Sequence, residues 1–148
     1  MNRIFPVFAA VTLVSFCSVA AALPDACGVK VESKAPGFVW VEGRYTSVTG
    51  DFDDDGREDT AFFIENPKIE KSRAIAVCLS SRADAVLIKK LYVDESLSVS
   101  KKGDSFYNHE IDKEEAYPRD GISVSCCECC GATYLYENGA FRQIIDGD

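Results

Sequence analysis

The sequence predicts a mainly β fold, an antiparallel meander of about six to eight strands. Three observations carry that expectation. Residues 73–80 alternate, with Ile75, Val77 and Leu79 on one face and Ala74, Ala76 and Cys78 on the other. Near the end, two strand-like runs, Ala132–Glu137 and Ala140–Ile145, flank Asn138-Gly139. Asn-Gly is the favoured two-residue type I′ turn, because both of its positions need positive φ. That turn sets Tyr136 opposite Phe141, Tyr134 opposite Gln143 and Leu135 opposite Arg142. No stretch shows sustained helical periodicity, and Cys27 to Lys34 is too short to assign.

In chain order, residues 1–22 read as a secretory signal. Arg3 supplies the positive start, Ile4 to Ala22 is apolar, and Ala20-Ala21-Ala22 offers small residues for cleavage before Leu23. Residues 23–148 are then one exported domain, periplasmic or secreted, with no stable membrane insertion. The 148-residue chain carries a formal net charge of -8 at pH 7. Cleavage removes one base and no acid, so the mature chain is more negative still. Such a charge argues against nucleic acid or an anionic membrane surface as partner and suits a cation or a basic protein. Ala35-Pro36-Gly37 reads as a turn. Phe38 to Thr49 reads as a long strand or a bent pair broken at Gly43. Thr60–Glu65 is a strand stopped by Asn66-Pro67, and Val86–Val93 is another. Residues 94–120 are polar, and a long excursion is expected there, with a short strand at Ser105–His109.

Between the strands lies Asp51-Phe52-Asp53-Asp54-Asp55-Gly56-Arg57-Glu58-Asp59. Asp51, Asp53, Asp55 and Asp59 fall at loop positions 1, 3, 5 and 9, and Gly56 takes the sixth, where the chain must turn sharply. Carboxylates this dense repel unless a cation sits among them, and calcium accepts six to eight oxygens in flexible geometry. An EF-hand would need an acid at position 12, where Phe62 stands, and the run after the loop is a strand. A calcium loop between two strands, written Gly-Asp-x-Asp-x-Asp-Gly-x-x-Asp, resembles the FG-GAP/VCBS repeat. Here that signature is residues 50–59. The resemblance implies calcium held by Asp51, Asp53, Asp55, Asp59 and the carbonyl of Arg57. The motif occurs once, with no internal period, so a full propeller is not expected. The chain looks more like the small secreted bacterial proteins that carry a single such loop.

Six cysteines follow the signal: Cys27, Cys78, Cys126, Cys127, Cys129 and Cys130. An even number in an exported chain points to disulfides. Residues three apart in a strand are separated by roughly 10 Å, so Cys126–Cys129 or Cys127–Cys130 can close only where the chain turns. The crowded Cys126-Cys127-Glu128-Cys129-Cys130 also admits thiolate metal binding or redox exchange. Against these, no second half-site and no βαβ pattern surround it. His109, the only histidine, reads as an ordinary loop residue.

No Ser-His-Asp order, nucleophile elbow or HExxH helix is present, and no catalytic residue is assigned. The expected function is a non-catalytic exported calcium-binding β domain with a structural or protein-binding role. An alternative is a periplasmic inhibitor or immunity protein acting on a secreted enzyme. A weaker third reading is a hydrolase that uses the loop metal.

Overall fold

The computed structural model describes residues 25–90, 95–126 and 131–144. The signal segment therefore lies outside the described residues. Among them the chain forms one helix, α1 (Asp25–Lys34), and eleven strands. The strands are β1 (Val39–Trp40), β2 (Ser47–Gly50), β3 (Asp59–Glu65), β4 (Arg73–Cys78), β5 (Val86–Lys90), β6 (Glu95–Ser100), β7 (Ser105–Asn108), β8 (Lys113–Ala116), β9 (Gly121–Cys126), β10 (Gly131–Glu137) and β11 (Ala140–Ile144). Every pairing is antiparallel. The first sheet runs β1-β3-β4-β5, with β2 also paired to β3, and the second runs β11-β10-β9-β6. Strands β7 and β8 form a separate hairpin. Among the described residues none of the sheets closes into a barrel or a propeller.

Strand alternation decides the layers. Phe63, Ile75 and Val77 leave one face of the first sheet and meet Leu97, Ile122, Val124 and Tyr134 of the second. Phe62, Ile64, Ala74, Ala76 and Cys78 leave the opposite face and meet α1. The central strands β3 and β4 are thus covered on both sides, which is why they read as almost unbroken apolar runs. A smaller cluster of Phe106, Tyr117, Leu135 and Ile144 seats the β7–β8 hairpin on the outer face of the second sheet.

The structure corrects the sequence reading in three places. Helix α1 forms over a segment that the sequence left unassigned. Its apolar stripe is only Cys27 and Val31, continued by Ala35 just past its end, too narrow to register as a period. What holds it is tertiary: the Cys27–Cys78 disulfide, with Cα atoms 5.8 Å apart, and a bond from Lys30 Nζ to the Leu79 carbonyl at 3.0 Å. Second, residues 95–120 are not a long excursion, although the short strand expected at Ser105–His109 is present as β7. Serines alternate with Leu97 and Val99 in β6, giving a half-buried strand, and β7–β8 form the outer hairpin. Third, these additions raise the described strands beyond the expected six to eight. Phe38–Thr49 resolves into the bent pair, β1 and β2, both on β3.

The terminal hairpin has the expected register, with Tyr136 opposite Phe141 and Leu135 opposite Arg142. Asn138 and Gly139 carry φ of 51° and 86°, as a type I′ turn requires. Of the expected strand Val86–Val93, residues 91–93 lie outside the described residues, and β5 covers the rest.

Candidate metal centre

The β2–β3 hairpin builds the centre. Gly50 pairs with Asp59, so both ends of the acidic loop are fixed by sheet hydrogen bonding. Phe52 turns inward and is fully buried in the main core, which pins the loop from its middle. Asp54 and Gly56 adopt positive φ, 62° and 81°, and let the chain coil back on itself.

The coil brings Asp51, Asp53 and Asp59 together, one ligand oxygen from each lying within 4.8 Å of the others. Asp51 is held by the loop itself: its Oδ1 accepts from the Asp55 N–H and its Oδ2 from the Gly56 N–H, both at 2.9 Å. Asp59 is 1% exposed. Its Oδ2 accepts from the Phe52 N–H at 2.9 Å and its Oδ1 from the Ser80 N–H at 2.7 Å. Burial pushes the Asp59 carboxyl above its ordinary value of 3.8, the two N–H donors offset part of that, and the Asp53 charge adds to it. Asp53 Oδ2 accepts from Ser81 Oγ. Asp53 Oδ1 is buried and has no hydrogen-bond partner. A carboxylate oxygen hidden from water without a donor is costly unless something positive reaches it.

Asp55, expected at the fifth ligand position, is not one of these three and is paired with Arg57. Its Oδ2 accepts from Arg57 Nε at 3.0 Å and Arg57 Nη2 at 2.6 Å, and its Oδ1 accepts from the Arg57 N–H at 2.9 Å. Ser80 Oγ adds a bond to Oδ2 at 3.1 Å. The Arg57 side chain is the main reason the Asp55 carboxyl is held below its ordinary value.

Five residues that the spacing did not reveal complete the surroundings. Ser80 and Ser81 come from the β4–β5 turn and donate to Asp59 and Asp53 respectively. Asp120, just before β9, accepts from the Asp51 N–H at 3.3 Å and from Lys101 Nζ at 2.8 Å. Lys102 Nζ bonds Asp54 at 2.7 Å. A shallow depression of about 380 Å³ lies beside the loop, lined in part by Arg57, Glu58, Lys101 and Asp120.

Of the disulfide candidates, Cys27 and Cys78 are joined. Cys126 ends β9, but its side chain and Cys127, Cys129 and Cys130 lie outside the described residues. His109 is exposed and packs edge-on against Tyr107, with ring centroids 5.0 Å apart. Among the described residues no helix is long and apolar enough to cross a membrane. Comparison with family models, curated proteins and solved structures finds no match for this chain.

Proposed function

We propose that the chain is an exported, non-catalytic β domain that binds calcium in its β2–β3 loop and uses the ion for a structural or protein-binding role. The carrying observation is Asp53 Oδ1, buried without a donor where three carboxylates converge. A hard divalent cation supplies the missing positive partner, and all-oxygen donors suit calcium. Asp51, Asp53 and Asp59 would hold it, with Asp55 and the Arg57 carbonyl completing the shell as the FG-GAP/VCBS resemblance implies. The Cys27–Cys78 disulfide fits export into an oxidising compartment.

Titration calorimetry tests the reading. The mature protein should bind calcium with Kd of about 10⁻⁴–10⁻³ M, the range of extracellular modules. Asp53→Asn should abolish the heat of binding while leaving the far-ultraviolet spectrum unchanged. A wild-type protein that gives no heat with calcium up to about 10 mM, well above that range, overturns it. Export is checked separately by intact mass, which should place Leu23 first.

A further inference from the structure

We propose that Arg57 competes with the cation for Asp55, so that calcium binding transfers this carboxylate from the guanidinium to the ion. The inference rests on the calcium reading above and adds the step by which the site closes.

The loop spacing places Asp55 at the fifth ligand position, yet the cluster contains only Asp51, Asp53 and Asp59. The cause is visible. Arg57 lies two residues on, across Gly56, and its fork takes Oδ2 through Nε and Nη2 at 3.0 Å and 2.6 Å. Its own N–H takes Oδ1 at 2.9 Å. Asp55 Oδ2 thus carries three donors, the two Arg57 nitrogens and Ser80 Oγ, and must give up at least one of them to face a metal. In the same loop Asp53 Oδ1 has no donor at all. The cluster is short of positive charge while an adjacent carboxylate is held by a cationic side chain. A divalent ion placed among Asp51, Asp53 and Asp59 attracts Asp55 more strongly than one guanidinium does.

The bridge is also weak enough to yield. The Arg57 side chain is 62% exposed, and exposed pairs contribute little. Ser80 Oγ, the other side-chain donor on Oδ2, sits on the turn that also supplies the Ser80 N–H to Asp59. The β4–β5 turn thus keeps its hold on the buried ligand while Asp55 moves.

Calcium titrations of four variants test the exchange. Arg57→Gln should tighten binding by about twofold to fivefold, the equilibrium equivalent of one partly exposed ion pair. Lys102→Gln removes the same charge from a neighbouring bridge to Asp54, which is off the ligand positions, and should tighten binding less. In an Asp55→Asn background, Arg57→Gln should give no further gain, since the interaction it relieves is already gone. The proposal is overturned if Arg57→Gln leaves the affinity unchanged or weaker. It is equally overturned if the gain persists in the Asp55→Asn background, which would make it a general charge effect. If wild type binds calcium and Arg57→Gln binds no tighter, the exchange alone fails. If neither binds, the calcium reading fails with it.

Discussion

Phe52 stands between two acidic residues in the sequence and is nonetheless fully buried in the main core. The backbone alternates, so the side chains either side of it face the cluster while its own ring anchors the loop from beneath. Phe52→Ala should therefore destabilise the protein by about 3–5 kcal/mol, the range for deleting a buried phenylalanine. Urea denaturation in the presence of chelator measures this without any contribution from bound ion. Asp120 is the second residue whose importance comes from what it holds. Burial raises its carboxyl, but bonds from Lys101 Nζ, the Lys102 N–H and the Asp51 N–H outweigh burial and leave it below 3.8. A carboxyl depressed on folding contributes stability that is complete above its unfolded value and is lost as pH falls through its folded value. Wild type should thus lose stability in acid more steeply than Asp120→Asn, with the difference appearing below about pH 4. Parallel melting curves at falling pH, recorded in chelator, check the sign.

At the level of elements, the disulfide does what local propensity does not. Helix α1 carries Gly28 and two valines, poor helix formers in an interior. Cys27–Cys78 closes 51 residues of chain, for which chain-entropy arguments give about 4 kcal/mol. Replacing both cysteines by alanine should cost about 2–4 kcal/mol, and hydrogen exchange should show α1 losing protection before β3 or β4. The same element explains what could be read in advance. Hairpin β10–β11 was legible because Asn-Gly fixes both turn and register within four residues. The grouping of Asp51, Asp53 and Asp59 was legible because their spacing is local. Helix α1 was not, because its stability comes from a strand fifty residues away. Strand β6 was hidden by its serines, although Leu97 and Val99 keep the two-residue period. Ser80 and Ser81 were beyond sequence reasoning, since only the β3–β4 register, with Thr60 opposite Cys78, carries them to the loop.

Across the whole molecule, two segments distant in sequence converge on the acidic loop of the β2–β3 hairpin: the β4–β5 turn through Ser80 and Ser81, and the approach to β9 through Asp120. An ion bound there stabilises contacts that span both sheets, so its binding should appear in global unfolding and not only in a local fluctuation. A ligand that binds only the folded state adds about 1.4 kcal/mol at tenfold Kd and about 2.7 at a hundredfold. For a domain of this size each kcal/mol moves the melting temperature by about 4 °C. Magnesium should do less, since it demands a small octahedral shell and gives up its waters reluctantly. The most direct test of calcium binding as part of this fold is the melting temperature of the mature protein in chelator and in about 10 mM calcium, a concentration at or above tenfold the expected Kd. The account predicts a midpoint about 5–10 °C higher in calcium, a smaller rise in magnesium, and no calcium dependence in Asp53→Ala. Identical wild-type midpoints in chelator and in calcium would contradict it.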